Sequence, residues 1–322
     1  MSLRAGFVLL IFICSMFIYT NYVALAETRF TPRDSFAHAS LNGTHYVFGG
    51  YGPNKKRLND VYALQQGQWS KVGKGPFEPR NLARAVEHQG ALYLIGGHTK
   101  EVDGTFQSFD DVWRFDGSQW TQLLAHAPFG PRAGFARASY RGDLYVMGGM
   151  NSTGCKNSDI IPHYGDVWKS SDGLRWEKLP ISFSPKSMMD AVVFKEHLLL
   201  VGGGVYQTNK PIGGVIEPLA GKNYKTNLPP RYFARATVFK DKLVVLGGWS
   251  DRNLNDVWTS NSGQRWKRQA LPPWSKRHEM AVFTEEDVLI VTGGLSDEKP
   301  ALKNDMWVTH DLNIWEKIKS RL

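Results

Sequence analysis

Cysteine is almost absent from this 322-residue chain, which has only Cys14 and Cys155. Cys14 lies in an apolar N-terminal stretch, and the residue before it is the bulky Ile13, a poor context for a bacterial lipid anchor. With Cys155 alone remaining, no intramolecular disulfide can form and structural zinc lacks its sulfur ligands, so a hydrophobic core must hold the fold. The nine histidines are scattered with no pair at metal-ligand spacing, and no metal or cofactor is expected. Helix signals are also poor; short β-rich runs separated by Gly, Asn and Pro take their place. Long apolar runs are limited to one, residues 5–19. It follows Arg4 and leads to Ala24-Leu25-Ala26 before Glu27, the layout of a cleavable leader spanning residues 1–26. The chain is therefore expected to be exported, periplasmic or secreted, with no stable membrane insertion after cleavage. Losing Arg4 with the leader takes the formal charge from +9 to +8. Such a charge favours anionic partners without choosing among them. Nucleic acid is not expected, because no continuous basic stripe exists in an exported chain.

What the chain has in abundance is an internal repeat. A β-branched or aliphatic run ends in a double glycine six times, at Gly49-Gly50, Gly96-Gly97, Gly148-Gly149, Gly202-Gly203, Gly247-Gly248 and Gly293-Gly294. The intervals are 47, 52, 54, 45 and 46 residues. Upstream of each lies a four-residue unit ending in alanine, such as Leu82-Ala83-Arg84-Ala85 or Phe233-Ala234-Arg235-Ala236. Downstream come Asp60-Val61-Tyr62, Asp111-Val112-Trp113, Asp166-Val167-Trp168, Asp256-Val257-Trp258 and Asp305-Met306-Trp307, each followed by a further tryptophan. The fourth repeat lacks both aromatic anchors and carries a long segment, residues 204–228.

Four features recurring in register resemble the kelch repeat across nearly all of residues 27–322. That resemblance implies an all-β, six-bladed β-propeller with blades near residues 33–76, 80–127, 132–180, 186–228, 231–271 and 277–318. A single blade cannot bury both faces, but six around an axis cover one another and leave only short edges. Nine of the eleven tryptophans fall in the two outer strands, where they read as packing units. Since blades one and six each own four strands, the ring is expected to close by face packing.

The resemblance also places the first strand of each blade, strand A, innermost. A cation opens it in all six repeats: Arg33, Arg80, Arg132, Lys186, Arg231 and Arg277. Arg80, Arg132, Arg231 and Arg277 are expected to converge on one site at the channel mouth, with Tyr51, Trp249 and Trp274 on its wall. Arg84, Arg137, Arg235 and Asp190 follow deeper along the strands. Replacing a mouth arginine would then weaken an acidic ligand and spare stability. Lys55, Lys56 and Arg57 add charge from the same face, and residues 204–228 are expected to fold over it. Forked guanidinium donors beside aromatics suit an anionic small molecule, a glycan or an acidic peptide.

Three functions remain open at this point: a recognition propeller for such an anion, a carbohydrate epimerase or mutarotase, and a scaffold for a protein partner. In export, size and charge the chain resembles kelch-type periplasmic sialic-acid epimerases. Proton transfer would need a channel carboxyl, for which Asp190, Glu279 and the loop residue Glu217 are the candidates. Copper radical chemistry is disfavoured, since it needs a Tyr–Cys pair that the loop residue Cys155 does not supply. The stretches ending at Trp176 and Trp266 miss the sialidase Asp-box spacing and read as hairpin turns.

Overall fold

The computed structural model describes residues 30–156, 159–206 and 210–318. Residues 1–29, which take in the expected leader, Cys14 and the expected cleavage point, lie outside them. Six antiparallel sheets succeed one another, and in each the chain steps outward through strands A to D. Blade 1 comprises Ala37–Leu41, Thr44–Tyr51, Arg57–Gln65 and Gln68–Lys74; blade 2 comprises Arg84–His88, Ala91–Ile95, Val112–Phe115 and Trp120–Leu124. Blade 3 is Ala136–Tyr140, Asp143–Met150, His163–Ser170 and Glu177–Ser182, and blade 4 is Ser187–Phe194, His197–Val205, Val215–Glu217 and Lys222–Tyr224. Blade 5 is Arg235–Phe239, Lys242–Trp249, Asn253–Ser260 and Trp266–Arg268, and blade 6 is Ala281–Glu285, Val288–Thr292, Met306–Thr309 and Trp315–Ile318.

Because side chains alternate across a strand, each blade presents apolar residues to both neighbours. Among the described residues one buried apolar cluster fills each of the six blade interfaces. Phe48, Phe77, Phe115 and Trp120 interlock between blades 1 and 2. Phe30, Trp69, Phe283 and Ile318 do the same between blades 1 and 6, so this seam is closed by faces in contact. Phe30 is fully buried there, and its carbonyl accepts from Asn304 Nδ2 at 2.8 Å.

Aligning the blades by structure corrects the repeat register. The cation and the first glycine are 16 residues apart in all six blades, and the cation reaches that glycine's carbonyl each time. The recurrent alanines are therefore not equivalent: Ala39 and Ala138 lie six residues after the cation, Ala85, Ala191 and Ala236 five, and Ala281 four. The double glycines follow from the contact they make. Gly50 donates its N–H to the Arg80 carbonyl of the next blade at 2.8 Å, and a Cβ on Gly49 would sit 2.9 Å from that same oxygen. Both have positive φ, which glycine adopts without steric cost.

The cations themselves are pins. Arg33, Arg80, Arg132, Arg231 and Arg277 are at most 2% exposed, and each pairs with the aspartate of its own blade's Asp-Val-Trp-type motif: Asp60, Asp111, Asp166, Asp256 and Asp305. For Arg80 the two bonds to Asp111 are 2.5 and 2.9 Å, and Nε donates to the Glu78 carbonyl. The tryptophan two residues on completes the clamp, as Trp113, Trp168, Trp258 and Trp307 donate Nε1–H to the same carboxylates at 2.6–2.8 Å. Burial alone would raise Asp166 and Asp305, but the guanidinium and indole donors hold both below the usual carboxylate range. The expected convergence of Arg80, Arg132, Arg231 and Arg277 on one mouth site is thus overturned: the acids that neutralise them are in strand C, in a motif first read only for its aromatic.

Blade 4 shows the pin without its acid. Lys186 donates to the Gly202 carbonyl at 3.2 Å and has no aspartate partner among the described residues, and burial pushes its ammonium down to about 8. In an unfolded chain it titrates near about 10.4. Between about pH 8 and 10.4 the unfolded chain thus binds more protons, and native stability rises with pH across that window. Lys186→Met is expected to remove this contribution, on the order of 2–3 kcal/mol. Urea melts of both proteins near about pH 8 and pH 10 check it; an unchanged pH dependence in the variant would show that Lys186 is not desolvated.

Candidate functional site

Two cavities lie at opposite ends of the propeller axis, and the first is lined by residues that directly follow the cation in blades 1, 2, 5 and 6. One residue after the cation, the chain pairs across to the residue following the double glycine: Asp34 with Tyr51, Asn81 with His98, Ala133 with Met150, Tyr232 with Trp249 and His278 with Leu295. Two residues after the cation, the backbone turns left-handed in every blade, at Ser35, Leu82, Gly134, Met188, Phe233 and Glu279. Backbone N–H groups of this second set bond to the previous blade's carbonyl from Leu82 to Glu279, at 2.7–3.3 Å. The result is a hydrogen-bonded collar around the channel. Left-handed backbone is strained for residues other than Gly, Asn or Asp, and of the six Ser35, Leu82, Phe233 and Glu279 line the mouth.

The mouth cavity has a volume of about 680 Å3. Asp34, Asn81, Phe233, His278 and Glu279 line it from the collar, while Tyr51, Lys55, Arg57, Lys100 and Tyr206 come from the ends of strands B and C and the segments that join them. The blade 2 loop folds as a hairpin, His98–Lys100 with Phe106–Ser108. It is clasped to the blade 3 loop by His98 Nδ1 to Ser152 Oγ at 2.8 Å and by Phe106 N–H to the Cys155 carbonyl at 2.9 Å. Residues 204–228, expected over the mouth, instead build the outer strands of blade 4, and of their described members Tyr206 alone lines the cavity.

The collar carries two carboxyls of different character. Burial, and then the Glu279 charge, push Asp34 up to about 7, so this carboxyl holds a proton near neutrality. Glu279 is 1% exposed, and neither of its carboxylate oxygens has a hydrogen-bond partner among the described residues. His278 beside it is pushed down by burial and so stays neutral; its Nδ1 contacts Asn253 Oδ1 at 2.5 Å, and its ring stacks on Phe233 at 5.0 Å. Arg57 lies 4.9 Å over the Tyr51 ring and bonds Asn81 Oδ1 at 3.3 Å. Cations, aromatics and a protonated and an unpartnered carboxyl thus share one concavity, an arrangement suited to a polar anion and to proton transfer.

Below the collar the channel narrows to Arg84, Arg137, Asp190, Arg235 and His38. Strand register aims them: Arg84 and Arg235 sit opposite the residue before the double glycine, and His38 and Arg137 one residue further along. Arg84 and Arg235 reach forward to the Phe135 and Met280 carbonyls, whereas Arg137 reaches back to the Ala85 carbonyl. Arg137 also bonds Asp190, and Asp190 accepts from the Ala236 N–H at 3.1 Å. The second cavity, about 530 Å3, opens at the rear and is lined by His38, Arg137, Asp190 and Arg235.

Of the residues singled out by sequence, Tyr51 and Glu279 line the mouth, and Arg84, Arg137, Arg235 and Asp190 form the throat. Trp249 packs on Tyr232 at 6.0 Å without lining the cavity, and Trp274 is buried against Trp315 between blades 5 and 6, so neither is the mouth wall. Glu217 lies on an outer strand, bonded to His197 at 2.6 Å and Tyr224 at 2.9 Å, remote from either cavity lining. Asp34, Asn81, His278 and the blade 2 hairpin were missed. The signals available were the positions next to each cation and the long intervals of 52 and 54 residues around blades 2 and 3. Among the described residues no three His, Cys, Asp or Glu side chains cluster as metal ligands.

Six four-stranded blades, five of them clamped by an arginine–aspartate pair that a tryptophan completes in four, surround an axial channel and define a kelch-type β-propeller. The chain belongs to the KLHDC2/KLHL20/DRC7 Kelch-repeats domain family, whose model matches residues 19–203. It is 31% identical over 186 residues to the N-acetylneuraminate epimerase of Escherichia coli O1:K1 and 30% over 185 residues to that of Shigella flexneri. Each match takes in 52% of this chain and 49% of the relative, so the chain matches about half the length of these curated relatives. The solved structure of YjhT superposes with a TM-score of 0.72 at 19% identity, covering 91% of this chain and 99% of that one, which is a likeness of fold.

Proposed function

We propose that the mouth cavity binds an acidic sugar and interconverts its anomers. The observation that carries this reading is Glu279, a buried carboxylate in the cavity lining without a hydrogen-bond partner among the described residues, near Asp34, whose proton is retained up to about pH 7. Anomer exchange of a cyclic hemiketal needs a base to take the anomeric hydroxyl proton and an acid to protonate the ring oxygen as the C–O bond breaks. In this reading Glu279 takes the first proton and Asp34 gives the second. The open-chain ketone rotates about the bond to its carbonyl carbon and recloses on the other face, with both transfers reversed and no net change in protons. Lys55, Arg57 and Lys100 hold the carboxylate, and Tyr51, Phe233 and Tyr206 offer apolar faces to the ring. The similarity to N-acetylneuraminate epimerases supports a sialic-acid-like substrate. The leader in residues 1–26 makes this an exported activity in the same reading.

The test is the exchange rate between the anomers of N-acetylneuraminate by NMR magnetisation transfer, with the methyl ester as a control lacking the charge. Exchange is expected to exceed the buffer rate for the acid far more than for the ester. Because Asp34 must be protonated to act as the acid, the enhancement is expected to fall as pH rises through about 7. Equal enhancement of acid and ester, or none for either, would sink the proposal.

A further inference from the structure

Two of the most deeply buried charges in the molecule have no counter-charge in contact. Arg84 and Arg235 are 3% and 2% exposed, and each uses only its Nε, donating to the Phe135 and Met280 carbonyls at 3.1 and 2.6 Å. Arg84 Nη1 and Arg235 Nη2 are shut off from solvent with no hydrogen-bond partner among the described residues. Among the described residues neither guanidinium takes part in an ion pair, although the five strand-opening arginines and Arg137 all do. A buried charge left in this way is strongly destabilising, so its site normally holds a compensating group.

The charge of the throat says what that group is. Arg137 is neutralised by Asp190, and burial, with the charges of Arg235, Arg137 and Arg84, keeps His38 uncharged. Asp190, already paired with Arg137, and Glu279 at the mouth end are both felt electrostatically by Arg84 and Arg235, but neither acid forms an ion pair with them among the described residues. Two guanidinia against one carboxylate leave a single positive charge. Water would satisfy the donors without neutralising that charge, while a divalent anion would overcompensate it in a narrow channel. The rear cavity, lined by Arg235 and the Arg137–Asp190 pair, offers an entrance.

We infer that the throat holds one small monovalent anion, a halide or a carboxylate group, bridging Arg84 Nη1 and Arg235 Nη2. This site stands whether or not the mouth acts on a sugar. It explains why two arginines occupy the axis where their repeat-mates at the same register are Ala37, Asp190, Ala136 and Ala281. A bridging anion also offsets the burial and mutual repulsion that push Arg84 down to about 9.

Crystals of the full chain grown with bromide as the only halide test this by anomalous diffraction. One strong bromine peak is expected between the two guanidinia. In solution, about 100 mM bromide at constant ionic strength is expected to raise the melting temperature by about 3 °C or more in the wild type and not in Arg84→Met. A second soak adds N-acetylneuraminate. Bromide that stays would mark a resident halide, and bromide replaced by the sugar's carboxylate would mark the substrate's own anchor. A map with no peak, and with Arg84 and Arg235 bridged by water or paired with Glu279, would overturn the inference. The wild-type map decides this even where Arg84→Met fails to fold, and its outcome leaves the anomer-exchange test untouched.

Discussion

Arg80→Leu is expected to destabilise the protein by about 3–5 kcal/mol, the range for removing one partner of a buried ion pair. The substitution strips Asp111 of two charge-assisted hydrogen bonds and the Gly96 carbonyl of one, in a blade interior that water does not reach. Leucine fills part of the volume but accepts none of the obligation to those oxygens. Only the Trp113 indole N–H would still face the carboxylate. For a chain of this size the loss corresponds to a fall in melting temperature of roughly 10 °C. Arg80→Lys is expected to fall between the two, because Lys186 shows that an ammonium in this position reaches the glycine carbonyl alone. Thermal melts of the three proteins check the series. A melting temperature unchanged in Arg80→Leu would restore the reading of these arginines as free ligand-binding groups.

That reversal shows what kind of information the sequence carried. The repeat was legible because packing demands recur with the blade: a double glycine where backbones of adjacent blades touch, a cation, and an aromatic pair at fixed distance. Blade count, strand order and the outer-strand tryptophans all follow from that periodicity. The pairing of Arg80 with Asp111 was present in the same repeat, 31 residues apart, yet nothing in a linear pattern says that an acid in strand C meets a cation before strand A. Recurrence at all six positions suggested a ring of shared function, whereas a residue demanded by every blade is serving the blade.

The candidate site was harder to read for the opposite reason. Its residues occupy equivalent places in the collar but differ in kind, with Ser35, Leu82, Gly134, Met188, Phe233 and Glu279 at one level. Such variety is invisible to a search for repeats. Glu279 drew notice only as an acid near the axis, and Asp34 was passed over beside Arg33. The register error of one residue, caused by aligning alanines that are not equivalent, put Arg137 at the level of Arg84 and Arg235. Loop length misled as well: the longest loop-like segment of the weakest repeat became outer strands, while the blade 2 hairpin, ordinary in composition, took the place over the mouth.

The variety of the collar is also why a single substitution there can separate chemistry from folding. Glu279→Gln keeps the shape and the left-handed backbone of the residue it replaces and removes the proton acceptor, together with the charge that helps hold Asp34 protonated. Losing a positioned general base lowers rates by about 100- to 10,000-fold. The lysines and arginine of the rim are untouched, so the variant is expected to bind N-acetylneuraminate with near-unchanged affinity, read by ligand-observed saturation transfer. Its melting temperature is expected to change little, since relief of a buried carboxylate with no hydrogen-bond partner among the described residues is offset by the lost attraction to Arg84 and Arg235.

The central claim, that Glu279 is the proton-transferring group of a sugar-acid site at the propeller mouth, is tested most directly by the anomer exchange rate of N-acetylneuraminate at saturating sugar with wild type and Glu279→Gln side by side. The account predicts acceleration by the wild type and a fall of at least about 100-fold in the enzyme-dependent rate for the variant, with binding retained. Exchange by the variant at the wild-type rate would contradict it.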